Sequence, residues 1–298
     1  MLRLAASLAA SLALPLAFGP VAAAAGQVLD HVARSPALGR DLPYTIYLPD
    51  AAADPDARLP TLYLLHGHGG GQHEWTRAGR IEATLDRLIS DGVIEPVIAV
   101  MPEAGKSWYV DSARFGGPGD YATAIARDLV AAVDAAHPTR ASAGARAIAG
   151  LSMGGHGALR LAFAHPGVFA AAAALSPAIH DPEGVSGRTG PLGATPEARE
   201  RWYPRTTGPR FDLETFHAQS PFAQVADIGA LPAPPRIYLA VGDDDFFDLQ
   251  EGTVEMYLAL RQVGLAPELR VGDGGHDWTY WRSVAPEMLA FLAAGFGD

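Results

Sequence analysis

One heptapeptide, Ala149-Gly150-Leu151-Ser152-Met153-Gly154-Gly155, constrains the fold of this chain more strongly than any other segment. It reads Gly-x-Ser-x-Gly and lies between an apolar, strand-like run over 145–149 and a helix-forming run of small residues over 154–164. This setting is typical of a nucleophile elbow, a strained strand-to-helix turn that presents the hydroxyl of Ser152 and the amide of Met153 at the edge of a sheet. An ordinary glycine-rich loop is the alternative, because five-residue motifs recur by chance.

Apolar strand-like runs alternate with amphipathic helical segments along most of the chain. This alternation predicts an α/β fold in which a mostly parallel central sheet carries helices on both faces. A β-hairpin over 27–49 precedes these segments, since Tyr44-Thr45-Ile46-Tyr47-Leu48 alternates and is rich in strand formers. The strands that follow are predicted over 62–65, 97–101, 145–149, 171–175, 236–241 and 268–271, and the helices over 76–90, 121–136, 154–164, 251–263 and 281–293.

Residues 178–232 interrupt this alternation, because they are rich in proline, glycine and arginine and contain several aromatic residues. We expect a small excursion over the carboxyl ends of the strands, which is too short for a large cap domain. A plain surface loop is the alternative. No internal repeat or linker divides the chain, so we expect residues 26–298 to form a single domain.

The first 25 residues predict a secretory signal peptide. Arg3 supplies a short basic start, an apolar run covers residues 4–18, and small residues end the segment at Ala25. A membrane anchor is the alternative, but the apolar run is short and is broken by Pro15. With no cysteine, the chain has neither disulfides nor a cysteine-linked lipid. We therefore expect export to the periplasm or the extracellular space, with no stable membrane anchor after cleavage.

The charge of the chain is acidic, and the predicted mature part carries 21 basic and 33 acidic side chains, a net charge of −12. This charge argues against nucleic acid or an anionic membrane as a partner. We expect neither a cofactor nor a metal. His66-x-His68 alone is a weak zinc pattern, and the acids over 243–248 lack the spacing of a calcium loop. The sequence leaves the oligomeric state open.

Three predicted strand ends carry the residue types that serine catalysis requires. Ser152 follows one strand, an acidic cluster over 243–245 follows the next-to-last strand, and His276 follows the last strand, behind two glycines. The chain order serine, acid, histidine is that of α/β-hydrolases. A serine hydroxyl is a weak nucleophile near pH 7, so an imidazole must accept its proton, and a carboxylate must orient that imidazole.

An acyl-transfer site also needs donors for the oxyanion. We expect one donor to be the amide of Met153. The second is expected in the glycine-rich loop over 66–71, where the amide of His68 is preferred and those of Gly67 and Gly69 are the alternatives.

Several motifs together resemble the esterase D branch of the α/β-hydrolases. The branch includes carboxylesterases, feruloyl and acetylxylan esterases, S-formylglutathione hydrolases and mycolyltransferases. The similarity covers nearly the whole predicted mature chain, and its most specific motif is the last in the following list. The motifs are Tyr63-Leu64-Leu65-His66-Gly67-His68-Gly69-Gly70, Val100-Met101-Pro102, Gly150-Leu151-Ser152-Met153-Gly154-Gly155 and Gly274-Gly275-His276-Asp277-Trp278-Thr279-Tyr280-Trp281.

The resemblance implies a Ser152, His276 and Asp245 triad, because the branch's acid stands just before an aromatic residue. Asp244 is the alternative acid, since the aspartate is tripled here. It also implies oxyanion donors at the amides of His68 and Met153, and no cofactor.

The function implied is that of an exported serine carboxylesterase. Its substrate is a small-molecule or saccharide-linked ester, of a short-chain acyl, acetyl-sugar or feruloyl type. Trp108, Tyr109 and Trp278 are candidates for substrate binding, with packing as the alternative. An acyltransferase and a non-catalytic binding protein remain as alternative functions. A signal peptide argues against a cytosolic S-formylglutathione hydrolase.

Overall fold

The central sheet has eight strands in the order β1-β2-β4-β3-β5-β6-β7-β8. The first two strands form the predicted hairpin, and β2 also pairs antiparallel with β4, whereas all other neighbours are parallel. The strands are β1 (Gln27–Ser35), β2 (Arg40–Leu48), β3 (Thr61–Leu65), β4 (Ile98–Pro102), β5 (Arg146–Leu151), β6 (Ala171–Leu175), β7 (Arg236–Gly242) and β8 (Glu268–Gly272). The predicted α/β-hydrolase fold with a mostly parallel sheet is confirmed.

The protein is seen here as a computed structural model, which describes residues 25–179 and 196–297. The predicted signal peptide lies outside the described residues apart from Ala25, and so does the stretch 180–195 of the predicted excursion. In the part of the chain that is described, no helix is both long enough and apolar enough to cross a bilayer.

Helices cover both faces of the sheet because its central strands are apolar on both sides. Along β3, Tyr63 and Leu65 belong to one buried cluster, and Leu62 and Leu64 belong to the other. The helices are α1 (Glu74–Arg77), α2 (Ile81–Ser90), α3 (Tyr121–Thr123), α4 (Val130–Ala136), α5 (Met153–Ala164), α6 (Pro196–Trp202), α7 (Leu213–Gln219), α8 (Val225–Gly229), α9 (Leu249–Gln262) and α10 (Trp278–Ala293). The first face packs mainly against α4, α5 and α9, and the second against α2 and α10.

Two predicted helices differ from expectation in their detail. A π-helical stretch over Ala124–Leu129 joins α3 to α4, so the predicted helix over 121–136 is continuous. The prediction of a single helix over 76–90 is wrong, because the helical conformation is interrupted between α1 and α2. Arg80 has a φ of 50° there, and a Cβ at Gly79 would lie 2.6 Å from the ring of Trp278. Close packing against α10 therefore overrides the local helical pattern.

The described part of the excursion holds the short helices α6, α7 and α8 and no separate domain, which agrees with the predicted small excursion. The rings of Tyr203, Phe211 and Phe216 pack on one another, Trp108 packs on Tyr203 and Phe216, and the carbonyl of Trp202 accepts the indole N–H of Trp108. We call Trp108, Trp202, Tyr203, Phe211 and Phe216 the aromatic cluster. The ring centroids of Trp108 and Tyr203 lie 4.3 Å apart, and those of Tyr203 and Phe216 lie 4.8 Å apart. Regular structure resumes at β7.

Candidate active site

The turn at Ser152 has the geometry of a nucleophile elbow. Strand β5 ends at Leu151 and α5 begins at Met153, and Ser152 between them has a φ of 54° and a ψ of −119°. A Cβ at Gly150 would lie 2.1 Å from the carbonyl oxygen of Gly154, so a side chain cannot be accommodated at this crossing. The glycines of the motif therefore permit a turn that costs backbone strain at the serine.

His276 and Asp245 come from the loops that follow β8 and β7. These two loops run in close contact, since the amide of Asp244 donates to the carbonyl of Gly274 over 3.0 Å. A Cβ at Gly242 would lie 2.1 Å from the same carbonyl oxygen. Glycine at this position therefore lets the two strand ends bring an acid and a histidine together.

The three side chains form one continuous hydrogen-bonded relay. The Nε2 atom of His276 lies 3.0 Å from the Oγ of Ser152, and its Nδ1 atom lies 2.7 Å from the Oδ2 of Asp245. Asp245 is buried, and its other oxygen accepts the amide of Phe247 at 3.0 Å. The partners assign the imidazole proton to Nδ1, which leaves Nε2 free to accept the serine proton. Asp244, the alternative acid, is exposed instead.

Aromatic rings surround His276, and sequence reasoning did not identify them as part of the site. The ring centroids of Phe247 and Trp281 lie 4.9 and 5.0 Å from that of His276, both nearly perpendicular to it. The indole nitrogen of Trp281 donates to the buried Oγ of Ser176 over 3.1 Å. Trp281 belongs to the quoted histidine motif, but Ser176 has no sequence signal because it lies 105 residues away.

The glycine-rich loop over 66–71 runs directly beside the elbow. A Cβ at Gly67 would lie 3.6 Å from the Cβ of Ser152, and the amide of Gly67 donates to the Oε2 of Glu74 over 2.8 Å. His66 fixes the other side of this loop. Its Nδ1 bonds to the carbonyl of Gly67 at 2.8 Å, and its Nε2 accepts the amide of Ala104 at 2.9 Å.

The predicted oxyanion donors lie on these two segments. Met153 is the first residue of α5, so its amide has no acceptor within the helix. His68 belongs to the adjoining loop, and its side chain packs on Trp202 with ring centroids 4.4 Å apart. Burial lowers the pKa of His68 to about 4, with Lys106 as the second cause, so its imidazole is neutral near pH 7.

A small apolar pocket, which we call the Ser152 pocket, opens beside the nucleophile. Its volume is about 20 Å³. Most of its wall is aromatic or aliphatic, which suits an acyl group rather than a charged ligand. The lining residues are His68, Trp108, Ser152, Ala178, Trp202, Phe247 and Leu249.

The three predicted substrate-binding residues have different positions. Trp108 lines the Ser152 pocket, as a binding role requires. Tyr109 does not, because it is fully buried and its hydroxyl donates to the carbonyl of His66 over 2.9 Å. Trp278 packs edge-on against Trp75 and Trp281 and is not part of the pocket wall. A binding role for Tyr109 is therefore wrong for this structure, because packing explains the residue, whereas the binding role of the half-buried Trp278 stays a prediction.

One group of side chains in the described regions could approach a metal ion. The carboxylates of Asp243, Asp244 and Asp273 each bring an oxygen within 4.8 Å of the others, and all three are exposed. They are not part of the Ser152 pocket. His66, one half of the weak zinc pattern, uses both ring nitrogens in hydrogen bonds to backbone groups.

Known proteins are similar to this chain in sequence and in fold. The sequence model of a family described as "Putative esterase" matches residues 35–292. An acetyl esterase of Caldicellulosiruptor saccharolyticus is 28% identical over 249 residues, which are 79% of this chain and 84% of the relative. The structure of a ferulic acid esterase is 28% identical, covers 92% of this chain and 99% of its own, and has a TM-score of 0.74.

A more distant structure shares the fold alone. An S-formylglutathione hydrolase from Staphylococcus aureus has a TM-score of 0.67 and 20% identity, and the match covers 90% of this chain and 96% of that protein.

Proposed function

Because the chain belongs to the esterase family whose model spans residues 35–292 and is a carboxylic ester hydrolase, we propose that it is an exported serine esterase. The proposed triad is Ser152, His276 and Asp245, and the reaction runs through a covalent acyl-enzyme. The observation that carries this proposal is the unbroken relay from the Ser152 hydroxyl through His276 to the buried Asp245, with contacts of 3.0 and 2.7 Å. A complete relay argues against a non-catalytic binding protein.

In the first half of the reaction, Nε2 of His276 accepts the proton of the Ser152 hydroxyl while the Oγ attacks the ester carbonyl carbon. Asp245 stabilises the imidazolium that forms. The carbonyl oxygen becomes an oxyanion and accepts hydrogen bonds from the amides of Met153 and His68. Loss of one such donor costs about 2.7–4 kcal/mol of transition-state stabilisation.

In the second half, the tetrahedral intermediate collapses and the bond to the alcohol oxygen breaks. The imidazolium of His276 gives its proton to the departing alcohol, which leaves an acyl ester on Ser152. Water then takes the place of the alcohol, donates a proton to His276 and attacks the acyl carbon. The second tetrahedral intermediate collapses, the bond from the acyl carbon to the Oγ of Ser152 breaks, and His276 returns its proton to that Oγ. The products are the carboxylic acid and the free enzyme, so the chain needs no cofactor for this cycle.

The names of the relatives and the shape of the pocket support one class of substrate. We propose an ester of a small carboxylic acid with a small alcohol or a saccharide, because relatives are named acetyl esterase and ferulic acid esterase. Export is proposed from the basic, apolar and small-residue segments of residues 1–25. The mass of the protein recovered from the culture medium or periplasm checks this, since cleavage removes about the first 25 residues.

A fluorophosphonate probe tests the catalytic proposal, because it reacts with an activated serine. The wild-type protein should be labelled once per chain and should hydrolyse p-nitrophenyl acetate. Ser152→Ala should lose both properties, with a decrease of about 10⁶-fold in kcat. Ser283→Ala is the matched control, since this serine is exposed on α10 and its hydroxyl bonds to the carbonyl of Tyr280. Labelling that persists in Ser152→Ala would contradict the proposal.

A further inference from the structure

The Ser152 pocket lies on the acyl side of the proposed nucleophile. The alcohol must leave beside Nε2 of His276, because that atom supplies its proton. Among the described residues, the wall of the pocket includes Ser152 and His68, which belongs to the glycine-rich loop over 66–71, but not His276. A group that occupies this pocket is therefore attached to the carbonyl carbon rather than to the alcohol oxygen.

The size of the pocket restricts that group. Its volume of about 20 Å³ is close to the roughly 10–15 Å³ that one water-sized group requires. The methyl group of an acetyl ester fits this space. A butyryl chain needs room for two more methylene groups, and an aromatic acyl group needs still more, so both exceed the volume that these walls enclose.

Trp202 forms one wall of the Ser152 pocket, and its indole limits the size of the pocket. Its indole is half-buried and packs on His68 at 4.4 Å and edge-on against Phe247 at 5.9 Å between ring centroids. Its backbone carbonyl accepts the indole N–H of Trp108 over 2.8 Å, which anchors the end of α6 to the opposite wall. These two ring contacts and the backbone hydrogen bond hold Trp202 in position across the pocket.

The other walls either belong to the core or support the triad. Trp108 and Leu249 are buried. Phe247 contacts the ring of His276, and its amide donates to Asp245 over 3.0 Å. Trp202 instead comes from the excursion, and its ring packs on His68 and Phe247 rather than on the ring of His276.

We propose that Trp202 determines acyl specificity, because its indole closes the Ser152 pocket to acyl groups longer than acetyl. This inference rests on the proposed function, since it assumes that an acyl-enzyme forms on Ser152. It assigns to the enzyme acetyl esters as substrates and assigns to α6 the exclusion of longer and aromatic acyl groups.

The test is a chain-length series with p-nitrophenyl acetate, butyrate and octanoate and with methyl ferulate. In Trp202→Ala, the ratio of kcat/KM for butyrate to that for acetate should rise by up to about fifteenfold, which is about fourfold per added methylene group. Trp202→Phe retains a smaller ring and should give a smaller rise. Fluorophosphonate labelling in parallel reports whether Ser152 stays reactive in each variant.

Phe211→Ala is the matched control, because Phe211 is an aromatic residue of the same excursion that packs on Tyr203 and does not line the pocket. Its butyrate-to-acetate ratio should match the wild type. An unchanged ratio in both labelled Trp202 variants, or an equal rise in Phe211→Ala, would overturn the role of Trp202 and leave the triad intact. A wild-type protein without labelling would overturn the proposed function itself, and the acyl assignment with it.

Discussion

The loops at the strand ends and the aromatic cluster border the same pocket but are held in place by different forces. Ser152, Asp245 and His276 follow β5, β7 and β8, whose backbones are fixed by parallel hydrogen bonding. The aromatic cluster is held mostly by contacts between rings. A hydrogen bond of 2.8 Å from the indole nitrogen of Trp108 to the carbonyl of Trp202 also connects two walls of the pocket.

This difference suggests a division of roles. Catalysis requires side-chain atoms at hydrogen-bonding distance from one another. The strand ends provide this precision because the hydrogen bonds of the sheet fix their positions. Selection among acyl groups requires only a boundary, which a cluster of rings on an excursion supplies. Substitutions at the strand ends should therefore change kcat by orders of magnitude. Substitutions of Trp108 and Trp202, the residues of the aromatic cluster that line the pocket, should change which esters are hydrolysed.

The largest expected effect tests which carboxylate supports the strand-end relay. Asp245→Asn should lower kcat by about 10⁴-fold, because the amide no longer selects the required tautomer of His276 or stabilises its imidazolium. Asp244→Asn, one residue away and exposed, is the control and should keep at least half of the wild-type kcat. Kinetics on p-nitrophenyl acetate measure both. Equal losses in the two variants would show that Asp245 is not the acid.

A second prediction concerns Glu74, a residue that the sequence motifs did not identify. Its carboxylate accepts the amide of Gly67 at 2.8 Å, so it holds the glycine-rich loop over 66–71, which carries the proposed oxyanion donor His68, beside Ser152. Glu74→Ala leaves that amide without its partner, and kcat should fall by about tenfold with little change in KM, since the oxyanion exists only after attack. Glu74→Gln should restore most of the activity because it keeps an acceptor.

The control for Glu74 is Glu95→Ala, which removes a carboxylate that pairs with Arg140 at 2.9 Å on the surface. That variant should retain wild-type kcat. If Glu74→Ala instead raises KM and leaves kcat unchanged, Glu74 supports substrate binding rather than the proposed oxyanion donor.

A smaller effect is expected at Ser176, whose hydroxyl accepts the indole N–H of Trp281, a neighbour of His276. Ser176→Ala leaves the buried indole N–H of Trp281 unsatisfied, so the free energy of unfolding should fall by about 1–3 kcal/mol. Because Trp281 packs against His276, kcat should also fall, by about threefold. Urea unfolding and ester kinetics give the two values. A loss of stability with unchanged kcat would limit Trp281 to a structural role.

The two regions also differ in how far they could be predicted from sequence. Ser152 and His276 stand in local motifs whose glycines encode the turn, so the structure brings together the residues that those motifs mark. The acid was ambiguous between Asp244 and Asp245, because only the packing of the β7 loop against the β8 loop decides which side chain turns inward. The fold followed from alternating strand and helix patterns, except where Gly79 packs against α10.

The aromatic cluster was not predictable in the same way, because its contacts join distant parts of the chain. Trp108 and Trp202 are 94 residues apart in sequence, and no local pattern shows that they meet. Tyr109 stands next to Trp108, yet it turns to the carbonyl of His66 instead of the pocket. Adjacent aromatic residues can therefore have opposite roles, and only tertiary structure separates packing from binding.

The smallest expected effect uses pH to compare two histidines that contact the same indole. His156, on α5, lies 5.4 Å from Trp108 between ring centroids, and His68 lies 6.3 Å from it. Burial, with Arg160 as the second cause, lowers the pKa of His156 to about 3, whereas that of an unfolded histidine is about 6.5. The unfolded chain therefore binds more protons than the folded protein between these pH values, and stability must fall as pH falls from 6.5 towards 3.

For His156 alone the slope of the free energy of unfolding approaches about 1.4 kcal/mol per pH unit in that window. His156→Gln removes the titrating ring, so its urea midpoint should change less between pH 7.5 and pH 5 than that of the wild type, whatever its stability at pH 7.5. His31→Gln is the control, because His31 lies at the edge of the sheet on β1. If His156→Gln keeps the full acid dependence of stability, another buried group with a lowered pKa must cause that dependence. His68, whose pKa is lowered to about 4, would then be the group to replace, and its protonation would act first on the contact with Trp202.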